Sequence, residues 1–342
     1  FRIQKMISEY INFSVKDNTG IIKLNRPKAL NAINFDMVVI FTETLLKWRD
    51  DPLIRQVLLL GEGNSLCAGG DVKSLFLSSN KNDLKKIFFQ KEYFLNNLIN
   101  EFSKNYLSVW DGLVMGGGVG LSIYGNYRLT SEKTKFAMPE TAIGFFPDVG
   151  GSFFLSQLKK GVGMYLGLTG NICNARDIMD LGLATHYVPS KLIPETIKGY
   201  MRKGVLNELD YYPSMSSDIS SNKKFIEDTF QYDLPKIISI LKNSKDEFGQ
   251  KIYTHMLTRC PMSLAITVKL IKNAQSKTLK ECLEIEYQLS QHMVYREDFN
   301  NGVDSVLISK NHKANWNPTT VESIDYSEVD KMFELHVEKL YI

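Results

Sequence analysis

The chain has 342 residues, of which 44% are hydrophobic and 23% are charged, and its formal net charge at pH 7 is +3. This length and composition are typical of a folded soluble protein with one large domain or two modest ones. The nearly balanced charge excludes a protein that binds nucleic acid or a membrane surface through a strong overall charge.

The first elements predicted along the chain are two strands, a helix and a third strand. Alternating residues on either side of a turn predict a β-hairpin over residues 11–24. Asn34 is a typical N-cap, and it precedes an amphipathic helix predicted over residues 35–48. The apolar run at 56–60 suits a buried strand.

The pattern of strands and helices continues through the first half of the chain. Helical periodicity spans residues 84–102, and apolar runs predict strands over 108–113, 127–130 and 134–137. Because strands and helices recur in alternation, the sequence predicts a layered α/β fold rather than a helical bundle.

The second half of the chain has a different character. Residues 205–245 are polar and irregular, which predicts a linker followed by short helices, and two amphipathic helices are expected over 248–272 and 278–294. We therefore expect an α/β region over residues 1–204 and a mainly helical region over residues 205–342.

The cysteines and the apolar stretches exclude several classes of protein. Four cysteines lie far apart, with no CxxC pair and no Cys/His cluster at zinc-like spacing, which fits a reducing compartment and predicts no metal site. No apolar stretch is long enough to cross a bilayer, and the first ten residues lack the apolar segment of a signal peptide.

Two glycine-rich loops, at residues 65–71 and 115–122, each follow a predicted strand and lead into a predicted helix. Consecutive glycines leave main-chain N–H groups unshielded, and the helix adds its positive dipole end. Two such turns can hold one carbonyl oxygen as an oxyanion hole. The alternatives are tight packing or a phosphate site, although Leu121 breaks the dinucleotide-binding pattern. Cys67 is expected to pack, since no His is near it in the sequence.

A third segment, residues 137–151, carries two carboxylates among apolar residues and glycines. Glu140 follows Pro139, and Asp148 follows Pro147. Carboxyl groups in apolar surroundings have raised pKa values and suit proton transfer or nucleophilic attack. The alternatives are a helix N-terminal residue for Glu140 and a turn-forming residue for Asp148.

These motifs resemble a known family. Residues 25–32, 67–71 and 116–118 resemble the crotonase (enoyl-CoA hydratase/isomerase) superfamily, and residues 115–122 and 138–151 resemble its 3-hydroxyisobutyryl-CoA hydrolase branch. Further similar segments extend over nearly the whole chain, at residues 92–97, 168–170, 182–186, 260–264, 286–290 and Trp316.

The resemblance implies a crotonase-like spiral of ββα units with a helical C-terminal region. It also implies that the thioester carbonyl binds between the N–H groups of Gly70 and Gly117. Glu140 is then the acidic residue that acts at the acyl carbon, Asp148 lies near the 3-hydroxyl of the substrate, and Glu92 contacts the substrate.

Binding of coenzyme A is expected near the first glycine loop, at Arg26, Lys28, Ala68 and Asp71. Arg26, Lys28 and Lys73 flank the loops that resemble the family and are candidates for contacts with the CoA phosphates, the alternative being ordinary surface charges. The family implies no separate cofactor, because coenzyme A is part of the substrate. No nucleic-acid or membrane partner is expected, and homo-oligomers occur in the superfamily.

The departure from the hydratase pattern indicates the reaction. Superfamily hydratases use a second glutamate, which would fall at Gly120, and its absence argues for hydrolysis. We expect a 3-hydroxyisobutyryl-CoA hydrolase of valine catabolism in the mitochondrial matrix, with Glu140 acting as nucleophile or as general base. The alternatives are an enoyl-CoA hydratase or isomerase, and a catalytically inactive ribosome-associated relative.

Overall fold

The computed structural model describes residues 9–78, 83–334 and 338–342. These residues divide into two compact units, each built from three segments of the chain. Unit 1 takes its described residues from Phe1–Asp71, Phe94–Phe136 and Ile172–Ser217, and unit 2 takes them from Val72–Tyr93, Ala137–Asn171 and Asp218–Ile342. The predicted division at residue 204 stays a prediction.

Unit 1 contains a sheet of six strands in the spatial order β1-β2-β3-β5-β7-β9. β1 and β2 pair antiparallel and the remaining neighbours pair parallel, as expected where helices connect the strands. A second sheet has the order β4-β6-β8. The strands are β1 (Ile11–Lys16), β2 (Thr19–Leu24), β3 (Gln56–Gly61), β4 (Ser65–Cys67), β5 (Asn105–Trp110), β6 (Leu113–Met115), β7 (Tyr127–Thr130), β8 (Lys135–Ala137) and β9 (His186–Tyr187).

The helices follow in chain order, with short 3₁₀ turns between some of them. Asn34 caps the first helix as predicted, since its side chain accepts a hydrogen bond from the Met37 amide. The helices are α1 (Phe35–Asp50), α2 (Val72–Leu77), α3 (Leu84–Asn100), α4 (Gly117–Gly120), α5 (Gly151–Ser156), α6 (Val162–Thr169), α7 (Ala175–Asp180), α8 (Ile193–Lys203), α9 (Asp218–Ser221), α10 (Lys223–Thr229), α11 (Leu234–Lys242), α12 (Glu247–Met256), α13 (Pro261–Ala274), α14 (Leu279–Met293), α15 (Glu297–Val303) and α16 (Tyr326–Glu334).

The core of unit 1 lies between the six-stranded sheet and helix α8. Leu58, Leu107 and Leu129 lie on neighbouring parallel strands and are almost fully buried with Tyr200 of α8. The Tyr200 hydroxyl oxygen lies 3.0 Å from the carbonyl oxygens of both Val57 and Asn105, which share its one hydrogen as acceptors. Burial of these strands explains the apolar runs in the sequence.

Unit 2 is mainly helical, and glycines let its helices approach closely. A Cβ atom on Gly163 of α6 would lie 1.8 Å from the Leu155 carbonyl oxygen of α5. A Cβ atom on Gly167 would lie 2.8 Å from the side chain of Ile271 in α13. The backbones of α5 and α6 therefore pack at a distance that no larger residue at 163 would allow.

Two predicted elements are wrong. The strand predicted over 108–113 is broken at residues 111–112, where Gly112 has a φ of 121°, so that β5 ends at Trp110 and β6 begins at Leu113. The single helix predicted over 248–272 is two helices, since α12 ends at Met256 and α13 begins at Pro261. Cys260 precedes a proline and adopts an extended conformation, with φ −64° and ψ 118°. The proline ring disfavours the helical conformation in the preceding residue, so the apolar periodicity continues across a break in the backbone. Among the described helices, none is long and apolar enough to cross a membrane.

Candidate active site

The first glycine loop of unit 1 is fixed by hydrogen bonds to the segment that follows β2. The amides of Ala68 and Asp71 donate to the carbonyl oxygens of Leu30 and Ile33, at 3.0 and 2.8 Å. The Ile33 amide donates in turn to the Gly69 carbonyl oxygen at 2.9 Å. The main chain on both sides of Gly70 is therefore held in place.

The second glycine loop lies directly against the first, within the same unit. A Cβ atom on Gly118 would lie 2.2 Å from the carbonyl oxygen of Cys67, and one on Gly69 would lie 3.8 Å from the amide nitrogen of Gly117. Cys67 itself is fully buried. The close approach of the two turns explains why glycine occupies position 118.

The amides of Gly70 and Gly117 are the predicted oxyanion donors. Gly117 is the first residue of α4, where amides have no acceptor within the helix. Within the described part of the chain, neither the Gly70 nor the Gly117 amide donates a hydrogen bond. Both N–H groups are thus free to bind an oxygen atom of a ligand, and their catalytic role stays a prediction.

The predicted CoA-binding residues lie around the same loop. Arg26 donates from Nη2 to Asp71 Oδ2 at 3.0 Å and from Nη1 to the Ala32 carbonyl oxygen at 2.6 Å. Its guanidinium also lies 5.0 Å from the centre of the Tyr10 ring. Arg26 and Asp71 therefore fix the loop, whereas Lys28 is exposed on a short 3₁₀ turn, Pro27–Ala29. Contacts with coenzyme A stay a prediction.

Unit 2 holds the predicted carboxylates. Glu140 opens the 3₁₀ turn Glu140–Ile143 after β8, Asp148 lies in the loop before α5, and Glu92 lies on α3. All three side chains are buried, with relative exposures of 7%, 6% and 2%. Among the residues described, no Lys, Arg or His forms a salt bridge with any of them.

This burial changes the acidity of the carboxyl groups. Burial, and next the charge of Asp148, raise the pKa values of Glu92 and Glu140 well above their usual range. Burial raises the pKa of Asp148 to about 7. Glu140 Oε2 and Glu92 Oε1 have no hydrogen-bond partner in the described residues. Buried polar atoms without partners are rare, so these two oxygens are candidates for contact with a ligand or water.

The turn that carries Glu140 is packed closely against α15. Gly144 has a φ of +72°, and a Cβ atom there would lie 2.4 Å from the Asp298 carbonyl carbon. A Cβ atom on Gly302 would lie 2.4 Å from the carbonyl carbon of Ile143. The amide of Cys260 also donates to the Thr141 carbonyl oxygen at 3.0 Å. The backbone around Glu140 is therefore held from two sides.

Tyr93 and Glu286 also belong to this carboxylate cluster, and neither is among the site residues predicted from the sequence. The Tyr93 hydroxyl donates a hydrogen bond of 2.8 Å to Asp148 Oδ2. Glu286 is fully buried on α14. One signal could have revealed Glu286, because it falls in the apolar stripe of α14 with Leu283 and Leu289. Tyr93 carries no comparable signal beyond its position next to Glu92.

A family model and several known proteins match almost the whole chain. The family model for enoyl-CoA hydratase/isomerase matches residues 19–333. The chain belongs to the enoyl-CoA hydratase/isomerase family. Within this family it is 39% identical to the mitochondrial 3-hydroxyisobutyryl-CoA hydrolase of Xenopus tropicalis, over 94% of this chain and 90% of that protein. It is 35% identical to the human protein of the same name, over 96% of this chain and 89% of that protein.

Solved structures of family members share the fold. A carnitinyl-CoA dehydratase from Mycobacterium thermoresistibile has a TM-score of 0.92 and 32% identity, covering 97% of this chain and 98% of its own. An enoyl-CoA hydratase from Rhodobacter sphaeroides 2.4.1 also has a TM-score of 0.92, with 28% identity, and the match covers 97% of this chain and 100% of that protein's chain. These matches confirm the predicted crotonase-like α/β fold with a helical C-terminal region.

The hydrogen bond between Tyr93 and Asp148 predicts a pH effect. This hydrogen bond stabilises the charged form of Asp148 and so lowers the pKa of its carboxyl group, whereas burial raises that pKa by more. In Tyr93→Phe the pKa of Asp148 therefore rises. If the reaction requires ionised Asp148, the acid limb of the kcat/KM profile moves to higher pH, with the largest loss of activity below pH 7.

The profile is measured by steady-state kinetics between pH 5 and 9. Tyr287→Phe is the matched control. The Tyr287 ring packs edge-on against the Tyr93 ring, with 6.4 Å between the ring centres, but the Tyr287 hydroxyl does not bond to Asp148. An unchanged acid limb in Tyr93→Phe would show that this hydrogen bond does not set the ionisation that limits activity.

The close packing at Gly302 predicts a loss of stability. Alanine is the better helix former, so Gly302→Ala would stabilise a loosely packed helix by about 1 kcal/mol. Because the new methyl group meets the Ile143 backbone, we expect destabilisation by about 1–3 kcal/mol instead. Thermal unfolding measures the difference. Gly199→Ala in α8 is the control, since nothing lies within 4 Å of its Cβ position; equal stability changes in both variants would contradict the prediction.

Proposed function

We propose that this protein hydrolyses a short 3-hydroxyacyl-CoA thioester, and that its substrate is 3-hydroxyisobutyryl-CoA. The products are 3-hydroxyisobutyrate and free coenzyme A. The observation that carries the proposal is the pair of buried carboxyl groups, Glu140 and Asp148, without a basic partner in the described residues. The names of the relatives at 35–39% identity support it.

The first part of the proposed reaction is polarisation of the thioester. Its carbonyl oxygen accepts hydrogen bonds from the unbonded amides of Gly70 and Gly117. Negative charge develops on this oxygen as the carbonyl carbon becomes tetrahedral. Because main-chain donors are already oriented, each one stabilises the transition state by about 3 kcal/mol.

Glu140 acts on the carbonyl carbon in one of two ways. As a nucleophile, its carboxylate forms a mixed anhydride, the CoA thiolate leaves and takes up a proton, and water then cleaves the anhydride. As a general base, it takes a proton from the water that attacks the carbonyl directly. Both routes require the ionised form, and the raised pKa of Glu140, caused first by burial, makes that form the stronger base.

Asp148 and Glu92 supply recognition of the acyl group in this proposal. Tyr93 occupies Oδ2 of Asp148, and the second oxygen of this carboxylate accepts the hydrogen bond of the substrate 3-hydroxyl. Glu92 contributes its Oε1 atom, which has no hydrogen-bond partner in the described residues. Its carboxyl group interacts electrostatically with Asp148, whose charge raises the pKa of Glu92 in addition to the larger effect of burial. An acyl chain without the hydroxyl leaves these oxygens without a donor, which penalises its binding.

Hydration of an enoyl-CoA is disfavoured by the residue at position 120. The second glutamate of the hydratases would fall at Gly120, which is a buried residue at the end of α4 and carries no side chain. The relatives named as hydratases and dehydratases share the fold. The presence of that fold alone does not supply the second carboxylate.

The remaining parts of the proposal concern the setting of the reaction. We propose that it belongs to valine catabolism in mitochondria, because the relatives are named as mitochondrial hydrolases. Coenzyme A binds near Arg26, Lys28, Ala68 and Asp71, and no separate cofactor is required. In the described residues, no group of three or more His, Cys, Asp or Glu side chains is arranged to hold a metal ion.

The release of free thiol from a panel of acyl-CoA esters tests the proposal. We expect saturable turnover of 3-hydroxyisobutyryl-CoA and 3-hydroxypropionyl-CoA. These two substrates differ by one methyl group, so we expect their kcat/KM values to differ by about tenfold to a hundredfold. Isobutyryl-CoA is the matched control without the hydroxyl and should be hydrolysed more slowly. Loss of the crotonyl-CoA double bond without thiol release would indicate a hydratase instead.

A further inference from the structure

Glu286 is bonded to the main chain that follows Asp148. Its carboxylate accepts hydrogen bonds from the Gly150 amide at 2.6 Å, the Ser152 amide at 3.1 Å and the Ser152 hydroxyl at 2.6 Å. Glu286 lies on α14, 138 positions after Asp148 (286 − 148) in the chain, and is fully buried. A helix far away in sequence therefore fixes the turn that presents Asp148.

The turn between these residues has a strained backbone. Val149 has a φ of 53°, a conformation that is an outlier for a β-branched residue, and Gly150 follows with a φ of 79°. The Gly151 amide closes the turn by donating to the Asp148 carbonyl oxygen at 2.7 Å. Strained conformations of this kind persist only where the surrounding structure fixes them, and they occur often at functional sites.

We propose that Glu286 is a positioning residue, which fixes the Asp148 carboxylate for recognition of the substrate 3-hydroxyl through residues 149–152. The inference rests on the proposed role of Asp148 in substrate binding. Two independent contacts then orient Asp148: Tyr93 binds its side chain, and Glu286 binds its main-chain turn. Neither residue needs to contact the substrate.

The electrostatics of the cluster make this arrangement costly without a function. Burial raises the pKa of Glu286 to about 8, against the opposing hydrogen bonds from Ser152 and Gly150, and the charge of Asp148 raises it further. Glu140, Tyr93 and Cys282 also interact electrostatically with Glu286. A neutral amide would add no carboxyl group to this buried cluster, but it has one acceptor oxygen where the carboxylate of Glu286 uses two.

The competing explanation is a purely structural cap. Gly150 is the N-cap of α5 and has no side chain to bind the first amides of that helix. Glu286 takes over this role from another helix. A structural cap affects the stability of the fold, whereas a positioning residue also affects the discrimination between substrates with and without the 3-hydroxyl.

The decisive measurement is a ratio of two dissociation constants. The probes are ketone analogues of isobutyryl-CoA and 3-hydroxyisobutyryl-CoA in which a methylene group replaces the sulfur atom, so that neither is hydrolysed. Calorimetry gives the Kd of each, and the ratio measures recognition of the hydroxyl alone. In the unmodified protein we expect the hydroxylated analogue to bind about tenfold to a hundredfold more tightly.

Glu286→Gln is the main variant, since the amide has the same shape but its nitrogen cannot accept a hydrogen bond. We expect the ratio of dissociation constants to fall by about tenfold, toward one. Ser152→Ala removes only the hydroxyl contact and should produce a smaller decrease. Glu281→Gln is the control on the same helix: it weakens the capping box with Thr278, so it should lower Tm and leave the ratio unchanged.

The outcomes separate the two proposals. If Glu286→Gln lowers Tm but leaves the ratio of dissociation constants unchanged, the positioning role is overturned and Glu286 is a structural cap. If Glu286→Gln does not fold, an unchanged ratio in Ser152→Ala overturns the role instead. If Asp148→Asn keeps the ratio, the proposed function of Asp148 fails as well. In the double variant Asp148→Asn/Glu286→Gln, we expect no loss beyond that of Asp148→Asn, because Glu286 acts through Asp148.

Discussion

Replacement of Glu140 by Gln is expected to lower kcat for thioester hydrolysis by about a thousandfold. The amide has the same size, but it neither attacks the carbonyl carbon nor takes a proton from water. Glu140 is 7% exposed and shares its surroundings with Asp148 and Glu92, whose charges raise its pKa after burial. Removing this ionisable group relieves repulsion, so we expect Tm to stay the same or to rise.

This combination of lost activity and retained stability is the signature of a catalytic residue. Rates of thiol release and thermal unfolding are measured on the same preparation. Glu101→Gln is the control, because Glu101 is an exposed glutamate next to the end of α3. Full activity in Glu140→Gln would remove Glu140 from the mechanism, and a large fall in Tm would make the loss of activity a consequence of unfolding.

Gly118→Ala is expected to lower kcat by about a hundredfold or more. The added Cβ atom would lie 2.2 Å from the Cys67 carbonyl oxygen and 2.7 Å from the Cys67 Cβ atom, so the two glycine turns must move apart. The amide of the neighbouring Gly117 moves with them. Loss of one oxyanion donor costs about a hundredfold to a thousandfold in kcat, and a displacement of about 1 Å has a similar effect.

The loss should appear in kcat more than in KM, because the oxyanion forms only in the transition state. Gly199→Ala, with open space around its Cβ position, controls for the effect of alanine on a helical glycine. We also expect Gly118→Ala to lose about 1–3 kcal/mol of stability from the overlap with Cys67. A stable Gly118→Ala protein with unchanged kcat would exclude these turns from the chemistry.

Local patterns in the sequence predicted most of the elements in the first half of the chain. Apolar runs marked the parallel strands because these strands are buried on both faces. Asn34 marked the start of α1, since its side chain can accept a hydrogen bond from the Met37 amide. The carboxylates of the third segment were visible because charged residues are uncommon in apolar stretches.

The missing parts of the site depend on contacts between distant segments. Tyr93 and Asp148 are 55 positions apart, and Gly150 and Glu286 are 136 positions apart. No local rule predicts which helix face meets which turn. The left-handed conformation of Val149 was equally hidden, because β-branched residues avoid it unless other contacts fix them. The pairing of Arg26 with Asp71 likewise depends on the tertiary fold.

The most direct test of the proposed hydrolysis is mass spectrometry of the products formed from 3-hydroxyisobutyryl-CoA in water enriched in ¹⁸O. We predict equal amounts of free CoA and 3-hydroxyisobutyrate, with the heavy oxygen in the carboxylate of the acid or, after one turnover, in the Glu140 side chain. Label in Glu140 would identify a mixed anhydride, whereas label in the acid alone is the result both for a general base and for an anhydride that water cleaves at its acyl carbon. An intact thioester with heavy oxygen at C3 would mean reversible dehydration, which would contradict the account.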